Sequence, residues 1–181
     1  MHEPIIMAIR HGEKPSDDGR IAGVDPHGRE SKDELSVRGW QRAGALAMLF
    51  SNPVLRPGLQ KPQKLFAPGT TPHVTSMRAY RTLEPLSQVL PLNISTKFLK
   101  GQEAALANAL EQLQGVVLVA WEHHALIDFA NALLGRNDAS PQSWPDDRFD
   151  LVWVFEKNGA SWKFQQVPQM LLEGDSPLVL Q

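Results

Sequence analysis

Ile5-Ile6-Met7-Ala8-Ile9, running straight into Arg10-His11-Gly12-Glu13-Lys14-Pro15, is the stretch on which the fold turns. The apolar run behind Pro4 is short and rich in β-branched residues, which predicts a strand buried on both faces. It stops abruptly at a guanidinium, an imidazole and a glycine. Val116-Val117-Leu118-Val119-Ala120-Trp121 is a second fully apolar run, and it too ends in side chains able to do chemistry, Glu122-His123-His124.

Working outward, residues 14–34 hold Asp, Gly, Pro and Arg without an apolar period, a long connection of the kind that is functional or mobile. Asp33–Ser36 starts a helix whose apolar stripe runs from Leu35 through Trp40, Ala43, Leu46, Ala47 and Leu49 to Phe50, and Asn52-Pro53 stops it. Lys64–Ala67 reads as a strand, Ser76–Leu90 as a helix, Ile94–Phe98 as a strand, Gly101–Leu113 as a helix, and Ala125–Leu134 as a helix closed by Gly135. Leu151–Phe155 and Ser161–Gln165 flank Lys157-Asn158-Gly159-Ala160, and Asn-Gly between apolar runs signals a hairpin. Strands alternating with helices predict an α/β three-layer sandwich: a mostly parallel central sheet of about six strands, helices on both faces, and an antiparallel C-terminal hairpin. Ligands in such sheets bind beyond the carboxyl ends of the strands. His11 and His123, 112 positions apart, are therefore expected to be neighbours.

The chain has 181 residues, enough for one core, so a single domain over 1–181 is expected. Eighteen Lys and Arg against 20 Asp and Glu leave a net charge of −2, which supplies no overall positive field for a nucleic acid or an anionic membrane. With no cysteine, disulfides, thiolate metal sites and Cys nucleophiles are excluded. No run approaches the ~20 apolar residues of a membrane span. Met1–Met7 lacks the pattern of a signal peptide, so a cytoplasmic protein is expected.

Arg10 can grip an oxyanion through two N–H groups, His11 can attack or shuttle a proton, and Gly12 lets the backbone turn close to a ligand. Arg78 falls in the first turn of the second helix, where backbone N–H donors and its own charge suit phosphate. Arg81 lies almost one turn further and points elsewhere; both arginines also read as ordinary solvated helix residues. His123 directly follows an apolar strand, which ranks it above His124 as the ring aimed at the sheet edge.

Taken together, Arg10-His11-Gly12-Glu13, Leu35-Ser36-Val37-Arg38-Gly39-Trp40-Gln41-Arg42-Ala43, Arg78-Ala79-Tyr80-Arg81-Thr82 and Val117–His123 occur in an order that resembles the histidine phosphatase superfamily, whose best-known members are phosphoglycerate-mutase-like. The resemblance covers residues 5–135. It implies a phosphate pocket of His11, Arg10, Arg78 and His123, transient phosphorylation of His11, and hydrolysis of a phosphomonoester on a small molecule or phosphoprotein without metal or other cofactor. Two arginines would favour the neutral, nucleophilic form of His11.

The leaving oxygen needs a proton. Relatives often use a carboxylate downstream of the second arginine, which makes Glu103 the candidate, with Glu13 as competitor; Glu122 either orients His123 or faces solvent. Lys14 and the cations of the 14–34 loop (Arg20, His27, Arg29, Lys32) either add anion contacts at the mouth or are simply solvated. Glu13-Lys14-Pro15 and His124 depart from the mutase and acid-phosphatase patterns, which favours a small phosphatase branch. Two other readings remain: a non-catalytic module binding a phosphorylated ligand, and a metal hydrolase using His11, Glu13, His123 and His124, against which two guanidiniums in one pocket argue.

Overall fold

The structure is a computed structural model and describes residues 3–181. Met1 and His2, the start of the segment read as lacking a signal-peptide pattern, lie outside the described residues. The elements run β1 (Ile5–Arg10), α1 (Val37–Ser51), β2 (Lys64–Phe66), α2 (Arg78–Val89), β3 (Ile94–Ser95), α3 (Glu103–Glu111), β4 (Val116–Trp121), α4 (His123–Leu134), β5 (Leu151–Asn158) and β6 (Ser161–Pro168). One six-stranded sheet has the order β3-β2-β4-β1-β5-β6. The first four strands are parallel, and β5 and β6 run antiparallel to their neighbours.

The expected α/β sandwich is therefore what forms, and the period-2 geometry of a strand explains its two cores. Along β1, Ile6 and Ala8 pack with Leu106, Leu126 and Phe129 beneath α3 and α4. Met7 and Ile9 face the other way, toward Leu46, Phe50 and Leu83 of α1 and α2. Trp144 is buried against Trp153, with ring centroids 4.7 Å apart, as part of the first of these cores. Among the described residues, no helix is long and apolar enough to cross a membrane.

Boundaries shift where capping or pairing overrides the apolar pattern. The helix expected from Ala125 begins at His123, because the Glu122 carboxylate accepts the otherwise unpaired N–H groups of His124 and Ala125. The strand expected over 94–98 shortens to Ile94–Ser95: it lies at the sheet edge, and its partner β2 is itself only three residues long. In the hairpin, Asn158 pairs with Ser161, so the two-residue loop is Gly159-Ala160. Gly159 has φ +61°, a first-position glycine of the kind that tight antiparallel loops favour.

The segment after β1 is pressed against the start of α1. A Cβ on Gly39 would sit 2.4 Å from the Glu13 carbonyl oxygen, and one on Gly12 would sit 2.8 Å from the Gly39 carbonyl. Ser36 fastens the same joint: its hydroxyl caps the helix by accepting Gly39 N–H and donates to Glu13 O, while its own N–H also donates to Glu13 O. The obstructing atoms are backbone, so they cannot swing aside. Gly39→Ala should cost about 1–3 kcal/mol, the usual penalty of overpacking, measured by chemical denaturation; an unchanged midpoint would show that the joint is looser than its contacts indicate.

Candidate active site

The site begins with strand register. Arg10 pairs with Trp121 across the parallel β1–β4 ladder, and His11 N–H donates to Trp121 O at 3.0 Å. His11 on one strand end thus faces the Glu122–His123 end of the other. The sheet brings together the two histidines that the sequence separates.

His11 is buried, and its Nδ1–H donates to the Gly12 carbonyl at 2.7 Å, which leaves Nε2 as the unprotonated nitrogen. Gly12 N–H in turn donates to Thr82 Oγ1 at 2.8 Å, so α2 holds the His11–Gly12 peptide. Burial pushes the imidazole down to about 3, and the charges of Arg78, Arg10 and His123 push it the same way, against the Gly12 hydrogen bond. The arginines do favour the neutral ring, as expected, but desolvation is the larger cause.

Arg10 is also buried. Its Nη1 donates to three carbonyls of the segment before β5, those of Pro145, Asp146 and Arg148, and its guanidinium lies 3.7 Å from the Phe149 ring centroid. Its Nε has no protein partner. Burial lowers its pKa to about 10, offset partly by Asp146 and Glu122, so the guanidinium stays charged at neutral pH. Arg78, the first residue of α2, donates from Nε to Ser76 Oγ at 2.9 Å, and burial lowers its pKa. Arg81 points elsewhere, as expected, pairing with Glu34 and Glu84.

His11, Ser76, Arg78, Lys100 and Glu122 line a cavity of about 130 Å³. That is below the roughly 300–1,000 Å³ of sites that enclose a drug-sized ligand, so it suits a compact anionic group with the remainder of the molecule outside. Glu122 has Lys100 Nζ 3.4 Å away. Burial would raise its carboxyl, but contacts with His123, the helix N–H groups and Lys100 hold it well below the usual carboxylate range. His123 is buried beside it, with Nε2 2.6 Å from Asp146 Oδ1. The exposed His124 stacks on it at 3.9 Å between ring centroids.

The other expected carboxylates are committed elsewhere. Glu103 is buried, and its Oε1 accepts Trp121 Nε1–H and Gly101 N–H, both at 2.9 Å; it does not line the His11 cavity. Glu13 accepts from Arg38 and Arg42. Arg42, buried in the stripe of α1, also pairs with Asp175 at 2.7 Å and bonds Gln169, which ties the C-terminal segment to the loop behind His11. Lys14 pairs with Asp17, Arg20 with Asp18 and Arg29 with Asp25, so the 14–34 loop spends these cations internally. Glu122, His123 and His124 each bring a potential ligand atom within 4.8 Å of the others. A dication there would meet Lys100 and the positive end of α4, while Glu13, the carboxylate the metal reading needed, is neutralised by arginines.

Asp146 and Thr82 are the site residues that sequence reasoning missed. Asp146 lies in the irregular Asp138–Asp150 stretch, which offers no periodicity; Thr82 belongs to the motif already quoted, where only its arginines drew notice.

No protein-family model and no curated protein matches the chain. Solved structures do. A putative phosphohistidine phosphatase SixA from Agrobacterium tumefaciens is 16% identical with a TM-score of 0.53, covering 89% of this chain and 95% of that one. A putative alpha-ribazole-5'-P phosphatase from Escherichia coli is 15% identical with a TM-score of 0.56, covering 89% and 94%. A phosphoserine phosphatase mutant from Entamoeba histolytica is 14% identical with a TM-score of 0.55, covering 90% and 95%. These structures belong to the histidine phosphatase superfamily, so the chain has the fold that its motifs resemble.

A His kept neutral by burial destabilises the folded state in acid, because the unfolded chain takes up a proton near pH 6.5 that the folded chain refuses until about pH 3. The stability this represents is present above pH 6.5 and is lost as pH falls through that window. His11→Asn should therefore lose about 1–2 kcal/mol less than the wild type between pH 7 and 5 in urea titrations. Parallel pH curves would contradict a neutral buried ring.

Proposed function

We propose that the protein is a metal-independent phosphatase that hydrolyses a phosphomonoester, of a small molecule or a phosphoprotein, through a phosphohistidine on His11. The observation that carries this reading is the buried neutral imidazole whose Nδ1 is fixed by the Gly12 carbonyl, set at a strand end beside Arg10, Arg78 and His123. A neutral Nε2 surrounded by cations is a nucleophile with an anion site built around it. The names of the solved neighbours, phosphatases of a phosphohistidine, a ribazole phosphate and phosphoserine, agree with the same chemistry.

In the first step His11 Nε2 attacks phosphorus, the P–N bond forms and the P–O bond to the leaving group breaks. Arg10, Arg78 and His123 hold the non-bridging oxygens and take up charge as it develops. In the second step water attacks phosphorus, the P–N bond breaks and neutral His11 returns. The proton traffic falls to Glu122 rather than Glu103, because Glu122 lines the cavity with His11 while Glu103 serves Trp121 and Gly101. A phosphoryl dianion beside Glu122 raises its carboxyl from its depressed resting value. Ionised at rest, Glu122 takes up the proton of the bound phosphomonoester monoanion, delivers it to the leaving oxygen, and in the second step takes a new proton from the attacking water.

Aryl phosphate hydrolysis in excess chelator tests the reading. Wild type should turn over, and His11→Ala should lose activity by at least about 10³-fold; loss of wild-type activity on chelation would point to a metal, and no activity in any protein to a phosphate-binding module. Arg78→Ala should lower binding and turnover together, by about 10²–10³ in kcat/KM. Glu122→Gln should slow turnover about 10²-fold with Glu103→Gln within a few-fold of wild type, and the reverse order would return the proton to Glu103.

A further inference from the structure

Asp146 touches both sides of the anion site. Its backbone carbonyl accepts Arg10 Nη1 at 2.8 Å, and its carboxylate meets His123 Nε2 at 2.6 Å. We propose that Asp146 is a positioning residue that pins His123 through Nε2, so that Nδ1 is the nitrogen presented to the phosphoryl group. This rests on the phosphatase reading for its catalytic consequence, but not for its geometry.

A carboxylate on Nε2 requires Nε2 to carry a proton, which settles one end of the ring. The other end is unfinished. Nδ1 is buried and has no hydrogen-bond partner: Glu122 Oε1 lies 2.9 Å away but without the alignment of a hydrogen bond. A buried unpaired nitrogen costs about 1–3 kcal/mol unless something comes to meet it. Glu122 lines the His11 cavity, so Nδ1 lies on the side from which a phosphoryl oxygen would arrive. The ring cannot readily turn to offer Nε2 instead, since it is 8% exposed and stacked on His124.

An exposed carboxylate at the edge of an anion site repels substrate unless it does something else there. Asp146 is 82% exposed, and its acidity is strengthened first by the hydrogen bond with His123, then by the charges of His123, His124 and Arg10. The groups facing His123 are Glu122 and His124 from its own helix, Asp146 from the segment before β5, and His11 from the end of β1. Asp146 and Glu122 are the anions beside the ring, and only Asp146 holds a ring nitrogen in hydrogen-bond geometry.

The experiment is a pH titration of the His123 ring in full-length wild type, Asp146→Asn and Asp146→Glu by proton–carbon NMR, alongside pH profiles for aryl phosphate hydrolysis. Asp146→Asn should lower the His123 midpoint by about one unit, move the basic limb of kcat down equally, and cut kcat about tenfold at neutral pH with KM changed by less than about threefold. Asp146→Glu should restore most of each. An unmoved His123 midpoint overturns the proposal. So does a rise in kcat/KM with tighter binding of inorganic phosphate in Asp146→Asn, which would make the carboxylate a competitor for the phosphoryl group. If wild type hydrolyses nothing, the phosphatase reading fails, and the NMR midpoint still decides whether Asp146 holds the ring.

Discussion

The six residue pairs that join β1 to β4 in parallel register are the constraint on which everything else depends. They lie more than a hundred residues apart in the chain, yet they fix to within a peptide which atoms meet at the carboxyl edge. Because Arg10 stands opposite Trp121, the next residue on each strand enters the site together with its neighbour, and the bond from His11 N–H to Trp121 O closes the ladder at His11 itself. A slip of one residue would reverse which side chains face which layer and would carry His11 away from His123. Both strands are apolar along their length, with Ile6, Met7, Ala8 and Val117, Leu118, Val119 fully buried, so the burial that stabilises the sheet also enforces the register that builds the site.

The same edge must then bury charge. Arg10 and Arg42 are each almost wholly enclosed, which is costly unless their N–H groups are satisfied. They are satisfied in different ways. Arg42 is neutralised by carboxylates, Glu13 and Asp175, and becomes a structural post joining α1, the loop behind His11 and the C-terminal segment. Arg10 receives mainly carbonyl dipoles and the face of Phe149. It is oriented without being cancelled, so its charge remains available to lower the His11 pKa and to attract an anion. The contrast between a paired and an unpaired buried arginine separates scaffold from site more sharply than burial alone does.

Much of this was legible in the sequence, for identifiable reasons. Continuous apolar runs name the central strands because such runs have no other stable place, and both runs end in the residues that matter. Side-chain direction was not legible. Glu103 and Glu122 each stand within a residue of a helix start, and nothing in the local sequence says that the indole N–H of Trp121 will claim one while the other lines the cavity. The helix expected from Ala125 hid the cap for the same reason, since a glutamate is not a favoured capping residue. Asp146 was beyond reach because its role is set by contacts with Arg10 and His123 across 136 and 23 residues, through a stretch with no periodic pattern.

The division between a rigid inner site and a self-paired surrounding loop bears on what the site can recognise. The cavity is small, and its formal cations, Arg78 and Lys100, border it together with a neutral histidine. Beyond it, Lys14, Arg20 and Arg29 are each neutralised within a few residues of themselves, so the 14–34 loop projects little field toward an incoming ligand. On the proposed phosphatase reading, such an arrangement concentrates binding energy on the group that reacts and spends little on the group that leaves. Interactions that tighten as charge moves onto the phosphoryl oxygens raise the rate of the chemical step, whereas contacts to the leaving group would mostly raise affinity. On that reading, Pro68, Gly69 and Val74, which also line the cavity, are the apolar and small residues that would bound the leaving group by shape.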